Sequence, residues 1–367
     1  MHLSRHACLV LVVCLPALSW AQQNPAPPAA VEQPQVASPS ASQPPSSKTG
    51  NAEGRIHLDV VATYNSGKPV SGLELKDFTL LDNNQPAKIL SFNAFDGTAQ
   101  KAEPLVEIIL VLDTVNLPFQ LVSIERQQIA NFLLQNGGHL AQPVSLFVLT
   151  NQGLDVQRRP TLDGNALAAD ASQLDNKLRT LTRSAGFWGA VERYQFSIQT
   201  MLVIAQDEVK KPGRKLLIWA GPGWPQLDNS RLKSTFKDQQ QDFDLIVQLS
   251  TRLREARISA YSISLGQPDL ETLLYKNHLS GVKNAGQAYP PNMGLKVLAV
   301  QSGGDVFGPD NDLTAQINRC VRDAQAFYTL SFDPPRASHV NDYHDLKVLV
   351  DRPGLEVRTR TGYYNQP

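Results

Sequence analysis

Residues 107–119 read EIILVLDTVNLPF. An apolar run from Ile108 to Leu112 ends in Asp113, and the polar Thr114 and Asn116 follow at once. An unbroken apolar run is what a strand needs when helices cover both of its faces, as in a parallel sheet. A carboxylate at the end of such a strand lies in the crevice where α/β proteins bind ligands. Asp113 is therefore either a ligand of something held there, a cation included, or a cap for its own loop.

Outward from this strand, short apolar runs alternate with helical periodicity. Residues 121–136 (LVSIERQQIANFLLQN) carry a helical stripe that Gly137-Gly138 stops. PVSLFVLTN at 143–151 reads as a strand, and a helix is expected over 165–180. Residues 188–209 read as a long helix ended by Pro212-Gly213. RKLLIWAGPGW (214–224) reads as a strand ending at Gly221. DFDLIVQLSTRLREAR (242–257) and ISAYSISLG (258–266) form the next helix and strand. An aperiodic excursion follows, then helices at 294–304 and 313–325 and a strand at 326–332. This alternation over 105–332 predicts a mostly parallel sheet with helices on both faces.

Before it, residues 55–95 alternate with period two and contain the turn signals SGKP (66–69) and DNNQP (82–86). They predict a small β unit. After it, residues 344–365 predict two strands around DRPG (351–354), at the edge of either the N-terminal β unit or the main sheet, and the closing GYYN either seals a core or exposes Tyr363 and Tyr364.

The chain begins with a short basic start at Arg5, an apolar stretch over 7–18, and small residues at Ser19 and Ala21. This predicts an export leader over 1–21, with an uncleaved anchor as the alternative. The stretch is too short for a comfortable membrane span. Cleavage would leave Cys320 alone, so no internal disulfide is expected, and its helical spacing predicts a core thiol. Residues 22–53 are rich in Pro, Ser, Ala and Gln and lack aromatics, which predicts an extended tether. The expected order is leader 1–21, linker 22–53, β unit 54–100, α/β domain 101–333, and a C-terminal hairpin and tail 334–367. The localisation expected is secreted or periplasmic, either free or tethered to the envelope.

Lys plus Arg and Asp plus Glu both number 34, so the net charge is zero and no basic excess points to nucleic acid. The HxxxH spacing of His2 and His6 falls in the leader-like start, no CxxC spacing offers a zinc site, and no G-x-S-x-G elbow offers a nucleophile. A hydrolase would need a second carboxylate beside Asp113, and Asp155, Asp228 and Asp269 are its only company in the crevice loops.

The ordered set GKPVSGLELKDFTLLDNNQPAKILSF (67–92), EIILVLDT (107–114), RKLLIWAGPGWP (214–225), VLAVQSGGDVF (297–307) and VLVDRPGLEVRTRTGYY (348–364) resembles a von Willebrand factor A-related family known mainly from acidobacteria. The resemblance covers about 54–364. It implies a von Willebrand factor A-like α/β fold and a protein-binding or adhesion role without catalysis. It also implies the position of a metal-ion-dependent adhesion site, which needs hard oxygens around Mg²⁺. Here Val115 and Leu117 stand where the pattern has serines. Gly186 or Phe187 falls at the threonine position, with Thr182 and Ser184 close by, and the loop Ala220-Gly221-Pro222-Gly223-Trp224 lacks the later acid. Only Asp113 remains, as a weak Mg²⁺ candidate, and no cofactor is expected. Direct contacts from Asp113, Thr114, Asn116, Trp188 and Trp224 are expected to bind a protein partner instead. Trp224 is singled out because the stiff GPGWP loop holds an aromatic at the crevice, where the alternative is that it packs over Trp188 or Phe187 and closes the crevice. The alternative to transient docking is a structural subunit of an envelope complex.

Overall fold

The computed structural model describes residues 54–96, 102, 105–173, 186–225, 227, 235–266, 271–308 and 310–367. The leader, the linker, Thr182, Ser184, Asp228 and Asp269 lie outside the described residues. So does the second half of the helix expected over 165–180, which is described as far as Gln173.

The chain opens with β1 (Ile56–Tyr64), β2 (Phe78–Asp82), β3 (Gln85–Ala87) and β4 (Ser91–Phe95). The α/β part follows. It runs β5 (Glu107–Asp113), α1 (Phe119–Leu133), β6 (His139–Thr150), β7 (Gly153–Asp163), α2 (Gly164–Gln173), α3 (Gly186–Glu208), β8 (Lys215–Ala220) and α4 (Phe236–Glu255). It continues with β9 (Ile258–Ile263), α5 (Glu271–Leu274), α6 (Leu295–Gln301), β10 (Asp305–Val306) and α7 (Leu313–Arg322). The strands β11 (Phe327–Phe332), β12 (Asp342–Val350), β13 (Leu355–Arg358) and β14 (Gly362–Asn365) close the chain.

The central sheet has the order β10-β9-β8-β5-β6-β7. Every neighbouring pair is parallel except β6 with β7. Counted along the α/β part, this is the 3-2-1-4-5-6 order of doubly wound sheets, with an antiparallel edge. This is the mostly parallel α/β sheet with helices on both faces that the sequence predicts. β5 is buried along its whole length, and its side chains divide between the two faces. Ile108, Leu110 and Leu112 pack with α1, α2 and α7, while Ile109 and Val111 pack with α3, α4 and α6. Burial on both faces is why this strand shows no polar alternation.

Helix starts follow their local chemistry. Thr235 caps α4, its hydroxyl accepting from the Asp238 N–H while the Asp238 carboxylate accepts from the Thr235 N–H. Asp312 caps α7 through the Ala315 N–H, 2.8 Å away. Cys320 is fully buried in α7, and burial pushes its thiol pKa well up. Among the described residues no helix is long and apolar enough to cross a membrane.

The structure corrects three expectations. Residues 153–163, whose polar sequence around Leu154 and Val156 predicts no strand of its own before the turn signal DGN (163–165), form β7, which pairs with β6 through a tight turn. An edge strand needs partners on one side only, so GLDVQRRPTLD can be polar and contain Pro160. Second, β11 does not enter the parallel sheet. It lies antiparallel between β1 and β4. Third, β12 and β13 do not pair around DRPG: β12 joins β14 and β2, and β13 joins β1.

Two four-stranded sheets result, β13-β1-β11-β4 and β14-β12-β2-β3. They share a core of Leu58, Val60, Leu80, Leu330, Phe332, Val348 and Tyr363. The small β unit is thus an antiparallel sandwich built from both ends of the described chain, with the α/β part inserted between β4 and β11. Its β2–β3 turn places Asn83 and Asn84 at φ 48° and 61°, as a two-residue hairpin with positive φ at both positions requires.

The GYYN segment seals the interior. Tyr363 enters the sandwich core, and Tyr364 enters the α3/α4 core, where its hydroxyl donates to the Val282 carbonyl at 2.8 Å. Polar contacts complete the seam. Arg257 pairs with Asp59, and Arg358 donates to Asp323 at 2.8 Å.

Candidate functional site

The carboxyl ends of β5, β6, β8 and β9 meet at Asp113. Its side chain is fully buried. Oδ1 accepts the backbone N–H groups of Val115 at 3.0 Å and Asn116 at 2.9 Å. Oδ2 accepts the Asn116 carboxamide at 2.7 Å and the Trp219 indole N–H at 2.9 Å. Burial raises the carboxyl pKa, and these four donors oppose the rise. All four partners are N–H groups that need an acceptor, which the ionised carboxylate provides.

The loop after β8 fits around this knot. Gly221 has φ 143°, and a Cβ there would lie 2.8 Å from the Asp113 Cβ. A side chain at 221 is excluded by that approach. Asn116 also donates to the Ser197 hydroxyl of α3 at 3.0 Å, and its own Oδ1 is buried without a partner among the described residues.

Thr114 and Trp224 are expected as direct partner contacts, and the structure corrects both. Thr114 is fully buried, its hydroxyl donating to the Leu149 carbonyl at 2.7 Å. Trp224 is also buried. It packs edge-on against Trp219 at 5.3 Å, and its N–H donates to the Met293 carbonyl at 2.9 Å. The excursion before α6 comes over the GPGWP loop, and the indole closes the crevice instead of opening it. Asp113 is likewise inaccessible, and Asn116 is half-buried.

Trp188 is different. It is 77% exposed at the start of α3, with Phe187 edge-on at 5.4 Å. Phe236, absent from the sequence-based candidates, is 74% exposed at the start of α4, and Phe119 at the start of α1 is also exposed. These three helices begin at the same end of the sheet, because each runs from the carboxyl-end side towards the other. A signal for Phe236 existed in the sequence. Thr235 and Asp238 form a capping box, and the residue between Ncap and the buried stripe points outward.

The donor set at Asp113 does not fit a divalent ion. Val115 is buried in the α3/α4 core and Leu117 in the α1 core, and neither has an oxygen to offer. The acceptor positions of Asp113 already meet N–H groups, whereas Mg²⁺ demands several oxygens in near-octahedral geometry. Among the described residues no group of three or more His, Cys, Asp or Glu side chains is arranged to hold a metal ion. Asp155 stands on the edge strand β7.

No protein-family model matches the sequence, and no curated protein matches it. Among solved structures, manganese-loaded TRAP protein from Plasmodium vivax aligns over 74% of this chain and 97% of its own, with 11% identity and a TM-score of 0.35. The SpRpn10 VWA domain aligns over 46% of this chain and 79% of its own, with 13% identity and a TM-score of 0.26. The pilus adhesin SpaC from Lactobacillus rhamnosus GG aligns over 70% of this chain and 36% of its own, with 12% identity and a TM-score of 0.34. TM-scores this low carry no argument about what this chain binds, and the fold rests on its strand order.

Proposed function

We propose that this chain is an exported protein-docking domain of adhesion type, acting by non-covalent contact at the carboxyl-end face of its α/β sheet. The observation that carries the reading is the exposure of Trp188 and Phe236 at the starts of two neighbouring helices that share that end. Covering an aromatic of this size returns roughly 2 kcal/mol or more. Rigid aromatics on helix starts suit an anchor role in a protein interface. Thr114 and Trp224 serve this face from beneath by holding its loops. The export half of the reading rests on the leader-like segment over 1–21.

The test is photo-crosslinking in the producing cell, with a photoreactive side chain at position 188 or 236. A control probe at Lys210 sits on an exposed turn at the opposite end of α3. Discrete adducts from 188 and 236, absent from 210, are expected. The paired substitution Trp188→Ala and Phe236→Ala should abolish association while leaving unfolding stability within about 0.5 kcal/mol, as exposed positions usually do. Adducts from 210 alone would place the docking surface elsewhere.

A further inference from the structure

An ionised carboxylate has about four acceptor positions. Asp113 fills them with two backbone N–H groups of its own loop, one carboxamide N–H and one indole N–H. No Lys, Arg or His among the described residues forms an ion pair with it. A fully buried charge without a counterion is tolerated only where oriented dipoles surround it.

The two side-chain donors come from separate elements. On β8, Trp219 stands in register with Val111, two residues before Asp113 on the same side of the sheet. An indole is long enough to cover that offset and place its N–H at Oδ2. Asn116 reaches Oδ2 from the other direction and ties the loop to Ser197 on α3. The orientation of its amide is dictated by charge, since the flipped form would set Oδ1 against Oδ2 at 2.7 Å. It keeps this orientation although its own Oδ1 stays buried and has no partner among the described residues.

We infer that Trp219 and Asn116 are the resident partners of Asp113 and hold the carboxyl-end face in one arrangement, so that docking there is independent of divalent ions and indifferent to chelators. The second half rests on the docking reading above; the first half stands on the hydrogen bonds alone. Trp219 is a positioning residue. It touches Asp113, and through Trp224 and the Met293 carbonyl it continues to the excursion before α6.

The experiment uses the mature chain labelled with ¹⁵N at tryptophan. Indole N–H resonances of Trp188, Trp219 and Trp224 are followed during titration with Mn²⁺, and Trp219→Phe assigns its peak. A paramagnetic ion at Asp113 would broaden the Trp219 signal first. The expected result is a slowly exchanging Trp219 N–H that keeps its position and width from chelator to millimolar Mn²⁺. Its selective broadening by Mn²⁺, reversed by chelator and lost in Asp113→Asn, would overturn the inference. A Trp219 N–H that exchanges as fast as that of exposed Trp188 would overturn it too, because the bond to Asp113 would then be absent. The crosslinking at 188 and 236 is read separately. Its failure with a protected, Mn²⁺-silent Trp219 removes the docking face and leaves the Asp113 cage standing.

Discussion

Asp113 shows how residue type leaves a choice that context settles. A strand-end aspartate is either a ligand or a cap, and here it caps its own loop and accepts four donors from that loop and β8. Asp113→Asn removes the charge and turns one acceptor into a donor that must face another N–H. The expected loss is about 3 kcal/mol of unfolding free energy, read from urea transitions. A loss near zero would mean the knot is looser than its distances show. The same scale explains Trp224. Its type and its stiff loop marked it as a contact residue, but its N–H found the Met293 carbonyl and its ring found Trp219.

At the scale of elements, α1 carries a cost. Glu125 lies on its buried face, with Oε1 accepting the Leu265 N–H at a long 3.4 Å and Oε2 without a partner among the described residues. Burial, reinforced by the charge of Asp113, pushes its pKa up to about 8. A carboxyl raised in the folded state stabilises below its unfolded value and loses that contribution as pH rises through the folded one. Between about pH 4.5 and 8 the wild type should therefore lose stability steadily, by at most on the order of 5 kcal/mol at 1.36 kcal/mol per pH unit. Glu125→Gln cannot ionise. Its advantage over the wild type should grow across this window and level off above it, as thermal melts at successive pH values would show. A constant difference would mean Glu125 keeps an ordinary pKa. The elements themselves were legible where packing on both faces leaves an apolar run, as in β5, or where a capping box opens a helix, as at Thr235. β7 was not, because an edge strand takes its identity from β6 and needs no pattern of its own.

Across the whole molecule, the sandwich and the α/β part are joined by buried charge as well as by apolar surface. Arg358 of β13 donates to Asp323 at the end of α7, whose carboxylate also accepts the Tyr261 hydroxyl at 2.6 Å. Asp323 is almost wholly buried, so Arg358→Ala leaves an anion without its cation. The expected cost is about 3 kcal/mol, with sandwich and α/β amides losing hydrogen-exchange protection together. Loss confined to the sandwich would show that the two parts unfold independently.

The sequence by itself determined the α/β class, the position of β5 and the absence of oxygens at Val115 and Leu117, because burial on both faces and side-chain chemistry are local facts. Tertiary structure alone decided the rest. It sent β11, β12 and β13 into a sandwich with the N-terminal strands, since strand pairing joins residues hundreds of positions apart. It brought the Trp219 indole to Asp113 and buried Trp224. It also left Trp188 and Phe236 in solvent, because exposure depends on what the rest of the chain has already covered.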